Sequence, residues 1–132
     1  MSSNIREFNI GLKKFTEQTL PEDVRKLRNA IALEAHRGVI QMTPVDTGRL
    51  RGNWSVSTDT NASGFNWDKT DVSGNATIAE GAGAIAATKE PWVPLAIYNG
   101  IEYGQYVNDG SPTNTAVRMV ERTVARIRRM FK

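Results

Sequence analysis

Two stretches near the start of the chain repeat apolar residues every three or four positions. The first predicts an amphipathic helix over residues 4–18, and the second predicts a helix that runs to about Met42. Between them, Thr19 and Glu22 have the spacing of a capping box, which would start a new helix. We therefore expect a separate N-terminal helical arm, residues 1–19. The two apolar stripes are Ile5, Phe8, Leu12 and Phe15, then Val24, Leu27, Ile31, Ala35, Val39 and Met42.

The pattern changes after the second helix to short strands, turns and loops. Pro44 should end that helix, because the residue before a proline avoids the α region. Residues 50–60 predict a strand with Trp54 and Val56 on one face. Residues 61–75 are polar and contain glycine, so they predict a long loop.

The second half of the chain predicts two more helices, a strand and a helical turn. We expect a short helix over 76–88, a buried strand over 93–98, a helical turn over 103–108 and a last helix over about 115–131. The apolar stripe of the last helix is Val117, Val120, Val124, Ile127 and Phe131, and its basic face is Arg118, Arg122, Arg126 and Arg129. This order predicts an α+β fold: a small, mostly antiparallel sheet packed against a long N-terminal helix and a C-terminal helix, in one domain over 1–132.

Composition narrows the class of protein. The chain has 132 residues, of which 39% are hydrophobic, as in one globular domain of ordinary size. It has no cysteine, which excludes disulfides and thiolate metal sites and fits folding in a reducing cytosol. We expect no signal peptide and no membrane partner, because no segment has the required run of apolar residues.

Charge is unevenly distributed along the chain. Residues 1–56 carry nine basic and six acidic residues, a net +3. Residues 57–110 carry two basic and seven acidic residues, a net −5, and residues 111–132 carry six and one, a net +5. A basic tail beside an acidic middle suits either nucleic acid or a second copy of the same chain. A merely solvated basic helix remains an equally open interpretation.

Candidate chemistry is nearly absent. His36 is the single histidine, and without a second histidine or a cysteine we expect no metal site. A Ser-His-Asp triad would have to use His36, and no serine lies in a nucleophile-elbow pattern. We therefore expect no catalytic residue, no cofactor and no enzymatic activity.

Two segments carry a family resemblance. The more specific one, TPVDTGRLRGNW over 43–54, resembles the signature with which a helix ends in tail-component proteins of long-tailed bacteriophages. The block IYNGIEYGQYV over 97–107 resembles a second conserved segment of that family, although Gly104 stands where alanine is commoner. The resemblance covers about residues 20–132. Within the family, the chain is similar to the lambdoid minor tail protein Z group.

This resemblance implies a structural virion protein that completes the tail or joins head to tail, without catalysis. The expected assembly is a homo-oligomeric ring at the neck or the top of the tail, formed in the host cytoplasm. Its expected partners are copies of itself and neighbouring neck, connector, tail-terminator or tail-tube proteins. Genomic DNA would pass through the lumen without specific binding, and residues 57–110 are the candidate lining.

The candidate site residues fall into three groups. The structural turn is assigned to Pro44, Asp46, Thr47 and Gly48, where glycine supplies a positive φ and the polar side chains bond nearby amides. The subunit interface is assigned to Arg49, Arg51, Trp54, Phe65, Trp67, Tyr103 and Tyr106. Contact with DNA or a partner is assigned to Arg118, Arg122, Arg126 and Arg129, and a nucleic-acid-binding module that uses this basic helix is the alternative function.

Overall fold

The computed structural model describes the backbone of residues 2–131 and the side chains of residues 5–131. Met1 and Lys132, the ends of the predicted domain, lie outside the described residues. The elements are α1 (Ser2–Lys14), a π-helical turn (Phe15–Thr19), α2 (Leu20–Met42), α3 (Arg49–Gly52), β1 (Trp54–Ser57), α4 (Asn75–Ala87), β2 (Ala96–Asn99), α5 (Gly104–Asp109) and α6 (Met119–Met130).

The two predicted N-terminal helices form one continuous helical run from Ser2 to Met42. The expected capping box is wrong, because Thr19 keeps helical backbone angles (φ −71°, ψ −51°) and its side chain caps nothing. Instead, the Leu20 amide donates to the Phe15 carbonyl five residues back, which makes a wider π-turn. Pro21 follows in the first turn of α2 and does not break the run.

The sheet has two strands among the described residues, and they are antiparallel. Trp54 pairs with Asn99, and Ser57 pairs with Ala96. The α+β fold, with a long N-terminal helix and a C-terminal helix, is confirmed. The predicted strand over 50–60 is wrong at its start, because residues 49–52 form the helical turn α3. The amide of Gly52 donates to the Gly48 carbonyl at 2.9 Å, which closes that turn.

The core lies between α2, α4, α6 and the sheet. Ile40 is fully buried, and the Trp54 ring is also inside the molecule. The buried cluster consists of Val39, Ile40, Leu50, Trp54, Ile101 and Met119. Helix α2 packs against the sheet, α4 and α6. Burial of apolar side chains, the main stabilising term in folding, therefore fixes this half of the long helical run.

The last helix starts four residues later than predicted. The amides of Val117 and Arg118 donate to the Val107 and Asn108 carbonyls, both at 3.0 Å, so this segment is tied to α5 and not to a helical turn. Arg118 then adopts a left-handed conformation (φ 55°) before α6 begins. The helix packs through Met119 and Thr123. Val120 and Val124 of the predicted apolar stripe are exposed, whereas Val117, Ile127 and Phe131 are half-buried.

The N-terminal arm has no core behind it. Every residue from Ile5 to Thr19 is exposed, including the four apolar residues of its stripe. No helix of the described chain is both long enough and apolar enough to cross a membrane.

Candidate assembly surface

Thr43 joins three elements at the end of the long helix. Its hydroxyl oxygen lies 2.5 Å from the Val39 carbonyl and 3.3 Å from the Met119 sulfur, and it accepts the Trp54 indole N–H at 2.8 Å. Because Thr43 is buried, each of these partners is shielded from water. Sequence reasoning placed Thr43 in the motif but missed this role; a threonine before proline was the available signal.

The turn that follows contains the predicted left-handed glycine. Gly48 has φ +85°, and a Cβ there would lie 2.8 Å from the Val72 amide nitrogen. Its carbonyl accepts the Asp71 amide at 2.9 Å, so the turn rests directly on the 70–72 segment. Thr47 accepts the Arg49 amide at 3.2 Å as expected, whereas Asp46 is exposed and makes no hydrogen bond within residues 5–131. Thus Thr47, and not Asp46, supplies the local side-chain bond.

Arg51 is held inside its own chain. Its guanidinium donates to the carbonyls of Thr43 at 2.7 Å, Val72 at 2.9 Å and Gln41 at 3.4 Å. These hydrogen bonds join the end of α2 to Val72, in the segment before α4. Arg49 and Arg51 both belong to the helical turn α3, so Arg51 does not lie in the strand predicted over 50–60. Arg51 therefore acts as an internal clamp, and its guanidinium is occupied by three carbonyls of the same chain.

Arg49 makes a layered contact with two of the predicted interface aromatics. Its guanidinium carbon lies 4.2 Å from the centre of the Trp67 ring, and its Nε donates to the Trp67 carbonyl at 2.5 Å. Trp67 in turn meets Tyr103 edge to face, with ring centres 6.2 Å apart. Stacking of this kind is favourable for a cation and for an aromatic pair. The structure thus brings together three residues that lie far apart in the sequence.

Two asparagines that the sequence analysis did not single out organise the same surface. Asn53 is buried; its amide nitrogen donates to the Arg49 carbonyl at 2.8 Å, and its amide oxygen accepts the Asn66 N–H at 2.8 Å. Asn99 donates to the Leu50 carbonyl at 2.7 Å. Both residues stand in the family-like motifs. Their role as loop anchors appears only once the backbone carbonyls are in place.

Asp71 caps the following helix. Its carboxylate accepts the Thr77 hydroxyl at 2.7 Å, the Thr77 amide at 2.8 Å and the Gly74 amide at 3.0 Å. The Thr77 hydroxyl is the main reason that the pKa of Asp71 lies below its usual value. The long loop 61–75 is therefore fixed near its end by Asp71, and also at Asn66, whose amide binds Asn53.

An apolar groove lies between the turn and α5. We call it the Pro44 groove, and its lining consists of Pro44, Tyr103, Tyr106, Val107, Asn114, Thr115 and Val117. Its volume is about 400 Å³. A second depression of about 270 Å³ shares Pro44, Tyr103 and Val107 with it and extends along the turn to Asp46 and Arg49. The groove is thus continuous with the family-like motif.

The remaining predicted interface residues lie in different environments. Trp54 belongs to the core, so its ring stabilises the fold and is not presented at the surface. Phe65 and Tyr106 are exposed, and Tyr106 lies at the Pro44 groove. The structure therefore groups Tyr103, Tyr106, Trp67 and Arg49 on one surface and separates Trp54 from them.

The four predicted basic contacts do not form one uniform face. Arg118, Arg122 and Arg129 are exposed. Arg126 instead forms an ion pair with Glu34 of α2, with 3.1 Å between Nη2 and Oε2. Three of the four guanidinium groups thus remain on the surface, and the fourth joins α6 to α2.

His36 is a core residue. Its Nε2 lies 3.0 Å from the Trp54 carbonyl, and the side chain is buried. Burial lowers the pKa of His36, because the charged imidazolium loses hydration there. Within the described residues, no group of three or more histidine, cysteine or acidic side chains could hold a metal ion.

Comparison with known proteins identifies the family. No curated protein and no solved structure matches the chain. A family model described as "Bacteriophage HK97-gp10, putative tail-component" matches residues 6–110, which is well over half of the chain. The match includes most of the N-terminal arm, the turn and the Pro44 groove up to Val107, and it ends before α6. The chain belongs to the HK97-gp10-like family of bacteriophage tail components, and its place is in the virion.

Proposed function

We propose that this tail component completes the tail or joins it to the head, as a subunit of a ring of identical copies. The observation that carries the proposal is the exposed apolar arm in a chain of this family. Ile5, Phe8, Leu12 and Phe15 lie on one stripe that no part of the described chain covers. Exposed apolar stripes of this size mark surfaces that bind another protein.

Charge supports contact between copies. The acidic middle of the chain has a net charge of −5, and the last 22 residues have a net charge of +5. Opposite charges on separate surfaces of one chain favour the approach of one copy to another, and they affect association rate and orientation more than affinity. Contacts between unlike surfaces close into rings when the rotation permits.

The protein acts through binding and not through catalysis. Its one histidine is a buried core residue, and its clearest polar networks, at Thr43, Arg51 and Asp71, hold backbone groups of the same chain. We propose that assembly occurs in the host cytoplasm, with neck, connector, tail-terminator or tail-tube proteins as neighbours and with the genome passing through the lumen.

A phage that lacks a functional copy of this chain tests the proposal. We expect complete heads and complete tails that stay separate in electron micrographs, and joining should return when the purified protein is added. Native mass measurement of the purified protein should give a multi-subunit species. Normal virions without the chain would contradict the proposal.

The alternative function, a nucleic-acid-binding module, is tested by measuring DNA affinity at several salt concentrations. Arg118 directly precedes α6, and Arg122 and Arg129 belong to it. All three side chains are exposed, so they are available to phosphates. If this were the main function, DNA affinity would fall steeply with salt and would fall again when the three arginines are neutralised. We expect weak DNA binding, and we expect neutralisation of the three arginines to slow self-association without abolishing head-to-tail joining.

A further inference from the structure

We propose that the N-terminal arm of one copy docks into the Pro44 groove of the next copy, so that the ring is joined arm to groove. This inference rests on the proposed function, since it names the two surfaces of the proposed ring contact. It commits to a second copy of this chain as the partner of the arm.

The arm presents one apolar stripe to solvent. Ile5 is 64% exposed, Phe8 68%, Leu12 50% and Phe15 48%. These residues recur at the spacing that aligns side chains on one face of a helix, over about 15 Å of its length. A helix that inserts into an apolar groove uses anchors at this spacing.

The groove offers a matching surface. Tyr103, Val107 and Val117 supply half-buried apolar walls, and Pro44 supplies a rigid edge. Tyr106 is 52% exposed at its rim. A depression of about 400 Å³ falls within the size range of sites that bury a ligand of several anchoring groups.

Distance excludes a contact within one chain. The arm and the groove lie at opposite ends of the helical run from Ser2 to Met42, and Pro44 follows that run directly. At about 1.5 Å per residue, Phe15 is roughly 40 Å from the groove along the helix. Because the run is continuous, the arm cannot turn back to its own groove, and only another copy can bring one to it.

The same arrangement makes the contact head to tail. One copy contributes its N-terminal arm, and its neighbour contributes the groove at the far end of α2. Contacts between two different surfaces leave one arm and one groove unfilled in every dimer. The series therefore continues until it closes, which is what a ring requires.

Charge is complementary across the proposed contact. The arm carries Arg6, Lys13 and Lys14 against Glu7 and Glu17, a net charge of +1 over residues 5–19. The segments that form or adjoin the groove expose the carboxylates of Asp46, Glu102 and Asp109. Arg49, the basic residue of the turn, is stacked on Trp67 of its own chain. The exposed Arg118 follows Val117 of the groove, so three carboxylates face two basic groups there, and a weakly basic arm approaches a weakly acidic surface.

Two single substitutions and their matched controls test the inference. Leu12→Asp places a charge on the stripe, and Ile10→Asp places the same charge on the opposite face of the arm, where Ile10 is 58% exposed. Tyr106→Arg blocks the groove, and Gln105→Arg alters its exposed neighbour, which does not line the groove. Circular dichroism should show the same fold for all four variants, because every altered side chain is exposed.

The masses of the variants and of one mixture decide the outcome. We expect Leu12→Asp and Tyr106→Arg each to weaken self-association at least tenfold, and both controls to assemble like the original chain. Mixed in equal amounts, the two weakened variants should form a species of twice the 14.6 kDa chain and nothing larger, because one intact arm meets one intact groove.

Other results overturn the inference in ways that separate it from the proposed function. If the original chain assembles but Leu12→Asp assembles equally well, the ring stands and the arm contact is wrong. If Tyr106→Arg assembles like the original chain, arms pair with arms or bind elsewhere, and the groove assignment is wrong. If both variants are weakened but their mixture stays monomeric, the intact arm does not bind the intact groove, and the inference is also wrong. If the original chain is monomeric at every concentration, the proposed ring fails as well.

Discussion

The two ends of the long helix carry similar apolar patterns but have opposite environments. In α2, the face with Ala32, His36, Val39 and Ile40 is buried under α4, α6 and the sheet. In the arm, residues 5–19 are exposed throughout. The difference teaches that periodicity reveals a face that needs covering and does not reveal which chain covers it. The body covers its own apolar face, whereas the described chain leaves the apolar stripe of the arm uncovered.

The largest expected difference between the two regions is in monomer stability. Ile40→Ala should lower the free energy of unfolding by about 2–5 kcal/mol, because Ile40 is fully buried and its removal leaves a cavity. Leu12→Ala should change it by less than about 0.5 kcal/mol, because nothing packs on that side chain. Urea unfolding at protein concentrations that keep the chain monomeric measures both. Similar losses would show that the arm is part of the core.

A smaller difference in unfolding free energy is expected between a threonine of the body, Thr43, and a threonine of the arm, Thr19. Thr43→Val leaves the Trp54 indole N–H buried without an acceptor, which should cost about 1–3 kcal/mol. Thr19→Val is the control, since Thr19 is exposed and caps no helix. Its effect on unfolding should lie within about 0.5 kcal/mol. A loss at Thr19 as large as that at Thr43 would restore the capping interpretation.

Acid should act on the body before it acts on the arm. The folded pKa of His36 is lowered by burial, so the unfolded chain binds a proton more readily than the folded one. This contribution to stability is complete above the unfolded pKa of about 6.5 and is lost as pH falls toward the lowered folded pKa. Denaturant unfolding between pH 7 and 5 should show a decline that His36→Gln removes. An unchanged slope in that variant would assign the decline to other groups.

The smallest expected effect concerns two open glycines. A Cβ added at Gly11 in the arm or at Gly83 in α4 meets nothing within 4 Å. Each alanine should stabilise its helix by at most about 1 kcal/mol. Gly83→Ala should raise the global unfolding energy, whereas Gly11→Ala should slow amide hydrogen exchange only in the arm. A global gain from Gly11→Ala would show that arm and body unfold together.

Local patterns predicted much of the fold. The apolar spacing of α2, the glycine-bearing α4, the approximate position of β2 and the α+β class could be read from the chain, since each depends on neighbours within a few residues. The strand itself begins three residues later than predicted and is half-buried, not buried. The errors occurred where distant backbone groups compete. Residues 49–52 are helical because the Gly48 carbonyl accepts the Gly52 amide, and α6 is delayed because Val117 and Arg118 bond to α5.

The candidate surface was only partly predictable for the same reason. Aromatic type and position pointed to Trp67, Tyr103 and Tyr106, but their grouping with Arg49 depends on a fold that brings residues 49, 67 and 103 together. The sequence analysis assigned Arg51 to the subunit interface, yet its guanidinium donates to three carbonyls of its own chain. No local pattern specifies such a set of acceptors.

The π-turn at Phe15–Thr19 sets the direction in which the arm points its stripe relative to the body. Each residue of an α-helix advances the chain by about 100° around the axis. Removing one residue from the regular α-helix just before this segment would therefore rotate Ile5, Phe8 and Leu12 by roughly that angle, while every buried contact of the body stayed in place. In the proposed ring, a single-codon deletion at this point would alter the angle between successive subunits, and with it the number of copies that close the circle.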